Sequence, residues 1–154
     1  MKISAVEEHG LRCLMALSKA HFEQRPSTIN SVAEAEGLTP QYVAKIASIL
    51  RRGELVTSER GVKGGIRLAR APADITLADA IGVLEGGPAK ARSCLSGVDC
   101  ARHDACGLRN VWDTITRLML GLLSRVTLAD LVNPAADQGA VRFDMLRIWK
   151  EGER

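Results

Sequence analysis

Aromatic side chains are nearly absent, only 3% of 154 residues: Phe22, Tyr42, Trp112, Phe143 and Trp149. A core built without them draws on Leu, Ala, Val and Ile, which argues against a β-sandwich and for a mainly helical fold. Long apolar runs are missing too. The longest, Leu118 to Leu123, is far too short to cross a bilayer, so no membrane partner is expected. The first residues carry Glu7 and Glu8 and no apolar stretch, so no signal peptide and a cytoplasmic location are expected. Cysteine, at four residues, is too sparse for a disulfide scaffold. No nucleophile–base pair, P-loop or dinucleotide fingerprint is present, so the chain does not read as an enzyme. The remaining composition, 46% apolar and 25% charged, is that of an ordinary globular protein, and the length fits one compact domain with an appended element.

The net charge of +3 hides an asymmetry. Between residues 45 and 70 stand Lys45, Arg51, Arg52, Arg60, Lys63, Arg67 and Arg70 against only Glu54 and Glu59, a local excess of +5. A stripe of this kind is the footprint of a phosphate-backbone binder once the local structure supports it.

That structure is legible. Val6, Leu11, Leu14, Met15, Leu17 and Phe22 recur at helical spacing, predicting an amphipathic helix over 4–22. Cys13 falls on its apolar side, as a small core residue. After Gln24-Arg-Pro-Ser27, a short helix is predicted over 29–36, with Ser27 or Thr28 as cap and Gly37 as a left-handed stop. Thr39 caps a third helix with Pro40 in its first turn, ended by Gly53. Two short β-like runs follow, Leu55-Val-Thr57 and Ile66-Arg-Leu68, around the glycine-rich Gly61-Val-Lys-Gly-Gly65. Helix, glycine turn, helix and basic hairpin in this order predict a winged helix-turn-helix. In such a fold the third helix enters the major groove of double-stranded DNA, presenting Thr39, Gln41, Tyr42 and Lys45. The wing (Arg60, Gly61, Lys63, Gly64, Gly65) lies along the adjacent minor groove.

Ile75-Thr-Leu-Ala-Asp79 and Val126-Thr-Leu-Ala-Asp130 echo each other as two helix starts, each with a capping Thr and an Asp three residues on. From Leu108, an apolar stripe of Val111, Trp112, Ile115, Leu118, Met119 and Leu122 predicts a helix of about eighteen residues, roughly 27 Å long. A small head leaves it little to bury against, so it is expected to pair with a second copy. Such a homodimer matches the two-fold symmetry of a palindromic operator. Cys94, Cys100 and Cys106 lie between these parts at equal spacing. Zinc sites favour closer pairs; three loop thiolates suit an iron–sulfur cluster, and a disulfide switch is the alternative.

The sequence here resembles the Rrf family of bacterial winged-helix regulators, which includes cluster-binding members of the IscR and NsrR types. The resemblance spans roughly residues 1–132. It rests on the opening Met1-Lys-Ile-Ser, on Arg60-Gly-x-x-Gly-Gly65 with Leu68-Ala-Arg70, and on the two Thr-Leu-Ala-Asp segments, the cysteine loop and Trp112. It implies a homodimeric DNA-binding transcription regulator whose 2Fe-2S or 4Fe-4S cluster senses nitric oxide, redox or iron–sulfur status. In members of the IscR type a histidine three residues after the last cysteine is the fourth ligand; here that position is Arg109. In nitric-oxide-sensing members an acidic residue near the start of the other subunit serves, and Glu8 matches it. The implied metal ligands are therefore Cys94, Cys100, Cys106 and Glu8, with His9 and His103 in reserve.

The chain thus divides into a DNA-binding domain over 1–85, a cluster-binding loop over 86–107, a dimerisation helix with its return segment over 108–132, and a C-terminal tail over 133–154. The competing functions are an iron–sulfur electron-transfer protein, which has no use for a basic wing, and a cluster-free thiol-based redox repressor.

Overall fold

The computed structural model describes residues 3–59, 65–86 and 106–132. The first three helices form where their caps dictate. Ser4 Oγ accepts from Glu7 N and the Glu7 carboxylate accepts from Ser4 N, a reciprocal box that starts α1 (Ala5–Phe22). Thr28 and Ser31 make the same exchange at the start of α2 (Ile29–Glu36), and Gly37 closes it at φ 65°. Thr39 caps α3 (Pro40–Arg52) by accepting from Tyr42 N. Each such cap is worth about 1 kcal/mol.

Helix α3 ends at Gly53, as the sequence predicts. Gly53 has φ −90°; the left-handed residue is Glu54, at φ 57°, which lets Leu55 N reach Leu50 O at 3.0 Å. Gly53 is required for a different reason. A Cβ there would fall 2.4 Å from both methyls of Val83.

Strands β1 (Val56–Glu59) and β2 (Gly65–Leu68) pair antiparallel, Val56 opposite Leu68 and Glu59 opposite Gly65. A 3₁₀ turn at Pro72–Asp74 leads into α4 (Leu77–Leu84). The long helix α5 spans Gly107–Leu123, and the short α6 (Leu128–Val132) returns to pack on α1 and the 3₁₀ turn. Helix α1 is the hub, touching α2, α3, α4, α6 and β2.

The core is aliphatic, as the aromatic poverty requires. Leu14 and Leu17 of α1 meet Val43, Ile46 and Leu50 of α3, Leu55, Val56, Ile66 and Leu68 around the hairpin, Ile75, and Leu128 from α6. Cys13 is a core residue, 2% exposed. Phe22, expected on the apolar face, is instead 56% exposed, because α1 runs past the last core position, Ala20, before it ends. The stretch grouped by sequence with the long helix supplies buried Val126 and Leu128 to the head.

Candidate nucleic-acid interface and cysteine site

Helix α3 divides cleanly. Val43, Ile46 and Leu50 face the core, while Gln41, Ala44, Lys45, Arg51 and Arg52 are exposed. Gln41, Ala44, Lys45 and Ser48 follow helical i, i+3, i+4, i+7 spacing, so they form one outward stripe. Thr39 is exposed, with its hydroxyl oxygen committed to the cap. At the far end, Arg51 Nη1 donates to Ser58 Oγ at 3.5 Å, joining α3 to β1. Between helix and hairpin lies a groove of about 230 Å³, lined in part by Ala44, Ser48, Arg51, Thr57 and Ile66. Ala44 and Ser48, which the sequence does not single out, share this outward stripe with Gln41 and Lys45. Their signal was the continuation of the Gln41 stripe by one more turn.

Tyr42 points elsewhere. Its hydroxyl donates toward the Ala5 carbonyl at 3.5 Å and lies 3.3 Å from His9 Nδ1, and the two rings meet edge to face, 5.5 Å apart. Its side chain joins α3 to α1.

The hairpin is seated against the rest of the head. Ile66 N donates to Ser27 O at 2.8 Å, and Gly65 allows this, since a Cβ there would fall 2.1 Å from Ser27 O. Arg67 is exposed on β2. Arg70 turns inward to the start of α4, bonding Asp74 O at 3.2 Å and approaching Asp79 Oδ2 at 3.8 Å. Of the expected wing contacts, Arg60, Gly61, Lys63 and Gly64 lie outside the described residues. The turn between α2 and α3 is braced by Arg12, which donates to Glu36 Oε2 at 2.8 Å and to Glu36 O at 2.9 Å.

Of the implied ligands, Cys94 and Cys100, with His103, lie outside the described residues. Cys106 is a free thiol, half-buried, at the N-cap of α5. Its side chain makes no capping hydrogen bond to the helix. At the start of α1, Glu7 Oε2 accepts from Ser4 N at 2.8 Å and His9 Nδ1 lies 3.3 Å from the Tyr42 hydroxyl. Glu8 is exposed, and its carboxylate makes no hydrogen bond or ion pair with any described residue. Cys13 is a poor candidate for redox chemistry. Burial, reinforced by the charge of Glu36 and opposed by Arg12, pushes its thiol up to about 11.

A helix-turn-helix with a polar, basic outer stripe, backed by an antiparallel hairpin, defines the chain as a winged-helix transcription regulator. It belongs to the Rrf2 family, described as iron-dependent transcriptional regulators, which matches residues 3–134. Among curated relatives, it is 34% identical over 133 residues to the transcriptional regulator CymR of Bacillus subtilis, covering 86% of this chain and 91% of that one. It is 29% identical over 136 residues to protein rrf2 of Nitratidesulfovibrio vulgaris, covering 88% and 90%. The solved structure of IscR from T. potens superimposes with a TM-score of 0.71 at 30% identity, covering 95% of this chain and 96% of that one. The structure of CymR, titled the global cysteine regulator of B. subtilis, does so at 0.68 and 33% identity, covering 86% and 96%. No helix of the described residues is long and apolar enough to cross a membrane.

Proposed function

We propose that the chain is a homodimeric regulator of palindromic operators whose DNA affinity is governed by an iron–sulfur cluster held by Cys94, Cys100, Cys106 and Glu8. The observation that carries the cluster reading is the allocation of side chains at the start of α1. Glu7 spends one carboxylate oxygen on Ser4 N and His9 turns Nδ1 to Tyr42, both half-buried, whereas Glu8 is exposed and its carboxylate makes no bond with any described residue. Three thiolates with one carboxylate suit iron, for which cysteine is the usual ligand. When bound, the cluster supplies an iron centre that reacts with oxidant or nitric oxide. Cys106, at the N-cap of α5, would supply a sulfur ligand, and Glu8 would supply a carboxylate oxygen, the one hard donor of the set.

The DNA-binding half rests on the outer stripe of α3. Gln41 and Ala44 face base edges in the major groove, Lys45 meets phosphate, and Arg60, Lys63 and the wing glycines follow the minor groove. The dimer rests on α5, where Leu108, Val111, Trp112, Ile115 and Leu118 are between 47% and 65% exposed. An apolar stripe of this size is covered in a stable protein, and a second copy covers it while supplying the second DNA-reading head.

Anaerobic purification followed by reconstitution with ferrous iron and sulfide tests this reading. A coloured protein with visible absorption, whose DNA affinity changes when the colour is bleached, is the expected result. A colourless protein whose affinity follows thiol oxidation overturns the cluster and leaves a thiol-based repressor. An identical visible spectrum in Glu8→Ala removes Glu8 from the ligand set.

A further inference from the structure

We infer that Tyr42 is the positioning residue through which the start of α1 sets the presentation of α3 to DNA. The inference rests on the ligand role proposed for Glu8. Ala5, Glu8 and His9 share one side of α1, being three and four residues apart. The Tyr42 hydroxyl reaches two of them, Ala5 O at 3.5 Å and His9 Nδ1 at 3.3 Å. On α3, Tyr42 stands beside Gln41 in the first turn, where its backbone N–H is held by the Thr39 cap. A single side chain therefore spans the 33 residues between the two elements. It connects the turn bearing Glu8 to the turn bearing Gln41.

The contact has the geometry of a device that responds to movement. Both distances are longer than a strong hydrogen bond, so the hydroxyl is not locked to either partner and can change its partner when α1 moves. Beside the aliphatic packing of Leu14 and Leu17 on α3, a second polar tie between α1 and the helix-turn-helix is of a different kind. Arg12 grips Glu36 by two short bonds on α2, which holds that end fixed. Engagement of Glu8 moves the first turn of α1, and the hydroxyl of Tyr42 transmits that movement to the end of α3 that reads bases. Because such coupling is reciprocal, DNA binding also alters how Glu8 is held.

The test measures DNA affinity of cluster-loaded and cluster-free protein, for wild type, Tyr42→Phe and Gln41→Ala. The ratio of the two affinities is the readout. In Tyr42→Phe it falls to within about twofold of one, with the visible spectrum and circular dichroism of wild type. In Gln41→Ala both forms weaken together and the ratio stands. Tyr42 is the sole tyrosine of the chain, so 3-fluorotyrosine gives one ¹⁹F resonance. It should move on cluster loading in wild type and stay fixed in Glu8→Ala. A wild-type ratio in Tyr42→Phe, equal weakening of both forms, or a stationary resonance in wild type overturns the link. A wild type that takes up no cluster rejects the proposed function together with the link, whereas a coloured wild type insensitive to Tyr42→Phe rejects the link alone.

Discussion

Thr76 and Thr127, fifty-one positions apart, are antiparallel bridge partners. Leu77 N donates to Val126 O at 2.8 Å and Leu128 N to Ile75 O at 2.9 Å. Each threonine also caps the helix that follows it, with Asp79 and Asp130 returning the bond. The two echoed sequence segments are thus not only the same helix-start grammar; they lie side by side. Together they fasten the chain beyond α5 back onto the head, with Ile75 and Leu128 fully buried beside them.

Thr127→Ala should therefore cost more than an isolated surface cap. Loss of the cap alone is worth about 1 kcal/mol, a fall in melting temperature of a few degrees for a chain of this size. Hydrogen exchange at Leu77 and Leu128 should rise together, since both amides sit in the bridge. Faster exchange at Leu128 with Leu77 unaffected would contradict a shared unit.

Cys13 predicts a pH dependence of stability. Its thiol ionises near 9.0 ordinarily and near 11 in the folded protein. Above pH 9 the unfolded chain releases this proton while the native state retains it, so stability is full below about pH 9 and declines as pH rises toward about 11. The slope is about 1.4 kcal/mol per pH unit. Urea unfolding at pH 8 to 11 should show this decline in wild type and a shallower one in Cys13→Ala. Parallel curves would exclude it.

Much of this architecture was readable because local chemistry and global packing agree. Thr28, Gly37, Thr39 and Pro40 each punctuate the chain at a position where the fold also turns. What escaped was set by contacts between distant residues. Gly53 reads as the end of α3, which it is, but the reason it is glycine is that Val83 of α4 packs against its backbone. Tyr42 reads as a DNA contact from its place in the first turn of α3, but its partners are on α1, beyond any local pattern. Glu8 is picked out in the sequence by resemblance alone, and that Glu7 starts the helix by capping Ser4 while His9 meets Tyr42 shows only in the fold.

Leu118→Glu tests the proposed pairing of two copies through α5. Leu118 is 62% exposed on a stripe shared with Val111 and Ile115, so the substitution leaves the core of the head untouched. Sedimentation should shift from dimer to monomer, and affinity for a palindromic site should drop toward that of a single half-site. A variant that sediments as a dimer would place the interface on another surface.

Lys45 and Gln41 are one helical turn apart on the exposed stripe of α3, and they should fail differently. A lysine that meets phosphate contributes through release of counterions, so Lys45→Ala weakens binding to all sequences alike and lowers the salt dependence by about one ion per head. In the proposed docking Gln41 pairs with a base edge, so Gln41→Ala should cost about 1–3 kcal/mol on the preferred operator and little on a site changed at the contacted base pair. The two variants must be titrated on both sites at two salt concentrations. Loss of specificity in Lys45→Ala, or a uniform loss in Gln41→Ala, would exchange the roles and mean that α3 enters the groove in a different orientation.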